Sequence, residues 1–338
     1  MMTQRLVIFS LASAILMAVG CGEATQSDTG QKPMSESQTI ASRPLCVGRF
    51  LIDVPVDVQV VGTQTTTSST AGAVSIERAV TKAAFVAKME DIKAKLQSAP
   101  HHTEGTRLSE QLRPDDATYI FRYRKNSAGT RAYQIDGYRW VESNMFTINS
   151  SAANDSFLST IADVKRGLST MTPRDTWSIP TEPGFCFDNG FLPGRENSFE
   201  ATGVQLSFEA YPGVSIFMET RTRSFSAEKE AGLIERTDWA MTLMDASDKP
   251  IVLRRRQDRP VLSGLAEEVL WKHKRDGYYQ LKGDAEMNGQ AGDPGKPDTA
   301  FSIILDQPGD GSLQPNEEKV IQLWDAVINS VRLRPGAL

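Results

Sequence analysis

The apolar and polar positions of this chain run through the same pattern twice. In the first pass Val58-Gln59-Val60 shows the period-two alternation of a half-buried strand. Ile76, Val80, Ala83, Val86, Met89, Ile92 and Leu96 then recur at spacings of three and four, which predicts one face of a helix. Residues 117–124 (ATYIFRYR) alternate bulky and charged side chains, Tyr133-Gln134-Ile135-Asp136-Gly137 follows a turn, and Phe146-Thr147-Ile148 adds a further strand. Phe157, Ile161, Val164, Leu168 and Met171 line an amphipathic helix that closes the pass.

The second pass repeats this order. Residues 204–208 (VQLSF) read as a strand, Leu233, Ala240 and Met244 mark a weaker helix, and residues 267–274 (EEVLWKHK) align with 117–124. Tyr279-Gln280-Leu281-Lys282-Gly283 matches Tyr133–Gly137 position by position, residues 301–305 (FSIIL) form another strand, and Val320, Trp324, Val327, Ile328 and Val331 line the closing helix. Asp155 and Asn316 are the predicted N-caps of the two closing helices, and Pro173 and Pro335 lie just past their ends. Each pass opens on a cysteine, in LCVGRF at 45–50 and GFCFDNGF at 184–191.

The expected fold is therefore α+β, with two internally duplicated domains over 43–174 and 175–338, each a mostly antiparallel sheet with helices covering one face. Residues 172–181 join them. Runs of hairpin strands between helices argue against the βαβ winding of a dinucleotide fold.

The first 42 residues follow another pattern. Arg5 precedes an apolar run over 6–19 that stops at Gly20-Cys21, followed by a polar stretch. That is the layout of a signal peptide over 1–20, since a spanning helix needs about 20 apolar residues and other flanks. The box Ala18-Val19-Gly20-Cys21 resembles the site cut by the lipoprotein signal peptidase, so Cys21 is the expected lipidation site. At about 0.8 kcal/mol per buried CH₂, several acyl chains hold a protein at a membrane. Gly22, in place of an aspartate, favours the outer over the inner membrane. Residues 21–42 then read as a lipidated, disordered tether, and the expected location is the periplasm.

Composition narrows the function. The net charge is −5 and no basic stripe suggests nucleic acid. Besides Cys21, Cys46 and Cys186 make an even pair in an oxidising compartment, where a disulfide and two buried thiols both fit. No G-x-S-x-G elbow, P-loop, H-E-x-x-H helix or C-x-x-C pair occurs. With 3 histidines, His273 reads as a sheet aromatic and His101-His102 as a solvated loop, so neither catalysis, a metal nor a cofactor is expected. Arg254, Arg255 and Arg256 could meet a partner or form a solvated strand edge, and Tyr278 could anchor a partner or serve as a cross-strand ring. The Gly/Pro-rich loop 288–298 could be a partner contact or simply mobile.

The lipoprotein start and the two cysteine openings, LCVGRFLIDVP at 45–55 and GFCFDNGF at 184–191, together resemble the immunity proteins of type VI secretion phospholipase effectors over residues 43–335. The resemblance implies a non-enzymatic protein, monomeric before binding. It would clasp an antibacterial lipase between its two domains so that the lipid-access lid stays shut. A periplasmic ligand-binding or envelope-assembly lipoprotein, with a small molecule between the repeats, is the competing reading.

Overall fold

The computed structural model describes residues 41–67, 72–195, 199–222, 231–243, 252–275, 278–308 and 316–338. The signal segment, Cys21, the tether over 22–40 and Met244 lie outside the described residues. The first half opens with a hairpin of β1 (Ser42–Val47) and β2 (Phe50–Pro55), then β3 (Val58–Thr67) and β4 (Gly72–Arg78), helix α1 (Lys82–Ser98), and the short pair β5 (Pro100–His101) and β6 (Gly105–Thr106). A meander of β7 (Leu108–Asp115), β8 (Thr118–Tyr123), β9 (Ala132–Val141) and β10 (Asn144–Ala153) leads into α2 (Phe157–Thr170). The first half ends on the short β11 (Thr172–Pro173); the second has a hairpin of β12 (Gly184–Phe187) and β13 (Gly190–Pro193), then β14 (Glu200–Phe208), β15 (Val214–Arg221) and α3 (Leu233–Leu243). Its meander is β16 (Val252–Val261), β17 (Gly264–Arg275), β18 (Tyr278–Met287) and β19 (Asp298–Pro308), followed by α4 (Glu317–Asn329) and β20 (Arg332–Leu333).

Local chemistry sets the helix starts. Thr81 caps α1 by accepting the Ala84 amide at 3.1 Å, so the helix starts after Val80, and Ile76 lies on strand β4 instead of the helix its spacing suggested. Asn316 caps α4 through the Glu318 amide at 2.9 Å, with Glu317 and Glu318 placed favourably in the first turn. The N-cap of α2 is Ser156 and not Asp155, and its side chain makes no capping bond.

Twelve of these strands form one antiparallel sheet in the order β7-β8-β9-β10-β4-β3-β14-β15-β19-β18-β17-β16. Its middle is the pairing of β3 with β14, so the sheet runs unbroken from one half into the other. Read outward from that seam, both arms have the same strand order: leading strand, hairpin partner, then the meander in reverse.

Each half carries one helix on either face, which differs from the expectation of helices on one face. Because alternate strand residues point to opposite sides, β8 sends Ile120 into a cluster with Val164 and Leu168 of α2, and Tyr119 and Phe121 into a cluster with Phe85 and Met89 of α1. In the other arm Trp324 of α4 donates to Glu268, whereas the backbone of α3 at Ile234 donates to the adjacent Glu267.

The two cysteine hairpins are exchanged. Leu45, Val47, Phe50, Ile52 and Val54 of β1 and β2 lie in the core of the second half, against Val320, Trp324, Val327 and Ile328. Phe185, Phe187 and Leu192 of β12 and β13 lie in the core of the first, with Phe187 edge-on to Phe146 at 6.2 Å. Where the hairpins cross, Gly48 and Cys186 exchange two backbone hydrogen bonds, of 2.9 and 2.8 Å, and the disulfide Cys46–Cys186 closes beside them with both cysteines buried. Gly48 has φ +60, and a Cβ there would meet Thr202 at 3.0 Å and Phe185 at 3.2 Å.

Three buried arginines fix this crossing. Arg49 makes a two-pronged ion pair with Glu200, at 2.7 and 2.6 Å, and donates to the carbonyls of Gly194 and Ala337. Arg334 donates to the carbonyls of Pro180, Glu182 and Gly184, and Arg174 to those of Asp175, Thr176, Ser178, Asp188 and Gly190. Burial lowers the Arg174 guanidinium to about 10, which leaves it charged at neutral pH. The connecting segment is thus held by its own backbone oxygens.

A bond across 140 residues removes much freedom from the unfolded chain, worth about 5 kcal/mol. Reduction, or Cys186→Ser, is expected to lower the melting temperature by roughly 10 °C or more in a calorimetric scan with and without reductant. An unchanged scan would show that the hairpins hold without the bond.

Candidate functional site

Between α1 and α3 the sheet face formed by β4, β3, β14, β15, β19 and β18 carries no helix among the described residues. The register names its side chains. One row across the strands reads Gln64, Gly203, Glu219, Ala300, Glu286, and the next reads Gln205, Phe217, Ser302, Asp284. A third reads Thr66, Ala201, Arg221, Asp298, continuing through Ala73 to Asn149 in the first half. Small residues, Gly203, Ala201, Ala300, Ser302 and Ala73, are interleaved on this floor with polar and charged ones. At the small positions another protein can approach the backbone closely.

Three features rise from this floor. Phe217 is 37% exposed with its ring over Gly203, where a Cβ would lie 2.9 Å from the ring edge. Val61 is 59% exposed at the irregularity of β3 opposite Gln205 and Leu206. Glu219 stands beside Phe217, and its half-buried carboxyl is pushed above the usual range by desolvation, with Arg221 opposing. Trp239, 67% exposed on α3, stands at the rim. Glu77, Glu219, Asp284, Glu286, Asp298 and Asp306 outweigh Arg221 and Lys282 on the floor. Flanking cations answer part of the excess: Lys88 of α1 reaches Glu77 at 2.6 Å and Arg236 of α3 reaches Glu286 at 2.5 Å. Exposed aromatic anchors on a polar floor of one prevailing sign are the kind of surface on which a protein partner gains affinity and orientation.

The residues singled out from the sequence go elsewhere. Arg254, Arg255 and Arg256 lie on the edge strand β16 and are engaged inside the molecule: Arg254 with Glu317 at 2.8 Å, Arg255 two-pronged with Asp325 at 2.5 and 2.7 Å, and Arg256 with Asp238. With Arg259 and buried Glu268 they tie the edge to α4 on one face and to α3 on the other. Tyr278 begins β18 opposite Pro308, and its side chain, like that of His273, is outside the described residues. His101 is buried, not solvated: Nε2 lies 3.2 Å from the Gly129 carbonyl and Nδ1 accepts the Glu104 amide at 3.2 Å. The loop after β18 is pinned by Gly289 to Asp298 and by Gln290 to the Lys296 carbonyl.

Phe217 and Glu219 were missed because the sequence reading passed over β15. The signal was present, in an alternation of Val214, Ile216 and Met218 with Ser215, Phe217 and Glu219 that sets an aromatic on the polar side. Among the described residues no group of three or more His, Cys, Asp and Glu is placed to hold a metal. The recess at the seam, lined by Val60, Thr63, Thr176, Asp188 and Thr202, holds about 20 Å³, space for a water.

Family models match nearly all of the described chain: the Tle cognate immunity protein 4 N-terminal domain over residues 43–176, and its C-terminal domain over residues 178–336. No curated protein matches. Among solved structures, the apo immunity protein TplEi of T6SS from Pseudomonas aeruginosa is 19% identical with a TM-score of 0.74, covering 87% of this chain and 97% of that one. A chain of the crystal structure of the Tle4-Tli4 complex is 20% identical with a TM-score of 0.74, covering 87% and 98%. TplEi complexed with "L" peptide is 18% identical with a TM-score of 0.69, covering 88% and 100%. At these identities the likeness is one of fold.

The arginine cluster at β16 makes an acid-sensitive joint. Desolvation works to raise the Asp325 carboxyl, but hydrogen bonds and charge from Arg255 and Arg259 outweigh it and hold the group below its ordinary value. A carboxylate depressed in the folded state stabilises above its unfolded pKa, about 3.9, and loses that contribution as pH falls through the folded value. Asp325→Asn is expected to cost about 1–3 kcal/mol at neutral pH and to flatten the loss of stability below about pH 4, read by urea titration at both pH values. Parallel curves for variant and parent would remove Asp325 from the acid response.

Proposed function

We propose, from the premise that the chain belongs to the Tle cognate immunity protein 4 family, that it binds a type VI secreted phospholipase and holds it inactive on the open face between α1 and α3. The observation that carries this is the match of both family domains, which together span the exchanged hairpins and the whole sheet. Docking across the seam engages both halves at once, as a clasp requires, and a floor whose backbone is already paired in a sheet costs little ordering on binding. The lid of the lipase is then kept shut by steric cover. No acid, base or nucleophile of this chain takes part in that inhibition, which is the work of a binding protein and not of an enzyme.

Finer parts of the reading follow. The two halves descend from a duplicated unit, which the shared strand order of the arms supports. The protein acts as a monomer in the periplasm, held by lipid on Cys21 at the outer membrane. The pattern of residues 1–21 and the buried Cys46–Cys186 bond, which suits an oxidising compartment, support that placement. A small-molecule cleft at the seam has against it a recess with room for only about one water.

The test is to retain proteins from an extract of the source bacterium on the purified chain and assay phospholipase activity. A lipase that is silent in the complex and active after release is the expected result; a retained envelope component without lipase would move the case to the competing reading. With that lipase, Ala300→Arg should weaken inhibition at least about 10-fold with unchanged melting temperature, whereas Leu158→Arg, 71% exposed on α2, should not. Equal inhibition by both variants would take the open face out of the interface. Labelled palmitate should be incorporated by the parent and not by Cys21→Ser.

A further inference from the structure

Glu219 is where the open face is chemically incomplete. Its carboxylate is half withdrawn from water and makes no hydrogen bond or ion pair among the described residues. Its cross-strand neighbours are Gly203 on β14, which the Phe217 ring covers, and Ala300 on β19, which leaves the other side without a bulky side chain. Phe217 stands two residues before it on the same face. The cation nearest along the strand, Arg221, directs its guanidinium toward the Phe199 ring at 5.8 Å, and its charge only partly offsets the desolvation that raises the Glu219 carboxyl. The other charged groups on the surrounding floor are mostly of the same sign: Asp284 and Glu286 on β18 and Asp298 on β19, with Lys282 held 3.6 Å from Asp284.

A partly buried carboxylate without a partner is unfavourable in the isolated protein and favourable once a cation reaches it. A planar guanidinium can meet the two oxygens together while stacking on an adjacent ring, which a compact ammonium cannot do as well. The geometry points to a socket for an arginine side chain of the docked protein, with its guanidinium on the Glu219 carboxylate, its flat face against Phe217 and its stem over Ala300. This rests on the docking reading above and adds to it the chemistry of the residue the partner inserts.

The probe that tests the socket is N-acetylarginine N-methylamide, with the citrulline analogue as its uncharged control. In the chain labelled at glutamate carboxyl carbons, the Glu219 signal should titrate above ordinary glutamates. Saturating arginine probe should pull that midpoint down by on the order of half a unit or more. The citrulline analogue should leave it in place. Phe217 ring signals should shift saturably with the arginine probe, and this response should be lost in Glu219→Gln and reduced in Phe217→Leu, two near-isosteric changes whose folding is checked by melting temperature. A Glu219 midpoint indifferent to the arginine probe, or an equal response to the citrulline analogue, would overturn the socket. That result can stand beside an inhibited lipase, in which case only this inference falls; an arginine response without any recovered lipase is the opposite failure.

Discussion

The crossing of the two cysteine hairpins is the constraint on which the rest of the molecule depends. A hairpin buried in a neighbouring core cannot be withdrawn without exposing both what it covers and what covers it. Here Phe50 and Ile52 fill the second half while Phe185 and Phe187 fill the first. Neither half has a complete core of its own, so each depends on the hairpin that the other contributes. The buried Arg49–Glu200 pair sits at this crossing, where losing either partner strands a charge in a dry interior. Such a pair stabilises little in net terms but tolerates few alternatives, which suits a joint with one correct geometry.

From that joint follows the continuous sheet. Once the hairpins are crossed, β3 and β14 lie edge to edge and their pairing removes two strand edges that would otherwise be open to aggregation. The remaining outer edges are β7 and β16, and β16 is protected by arginines whose partners sit on α3 and α4. The helices sit over the arms, where the apolar side chains gather, and the middle of one face is left to a mixture of small and polar residues. The open face is thus a product of the fold: a flat floor between two helical walls both orients and limits what can dock.

Much of the fold was legible along the chain. The meanders, the closing helices and the cap at Asn316 follow from alternation, spacing and one side-chain oxygen, all of them local signals. What could not be read was long-range. Alternation says that Tyr119 and Ile120 point opposite ways, but not that each side meets a different helix. The cysteine openings were visible as a matched pair, yet their exchange depends on contacts separated by well over a hundred residues. His101 looked solvated because its neighbours are polar; its burial comes from the Gly129 carbonyl, which the fold brings back over it. The same holds for the site. Arg254, Arg255 and Arg256 drew attention as a charge run, whereas Phe217 and Glu219 carry no pattern beyond a single outward aromatic in an ordinary strand.

The bond from Arg49 to the Ala337 carbonyl joins residues 288 apart, and β20 lies against β2. The early hairpin is therefore finished by residues made much later. In a chain made from its N-terminal side, the early hairpin is complete long before its packing partners and must wait, uncovered, for α4 to follow. Assembly is set by the slowest arrival and not by the first nucleus, so the interval of greatest exposure to proteases and to chaperones is written into the order of the sequence itself.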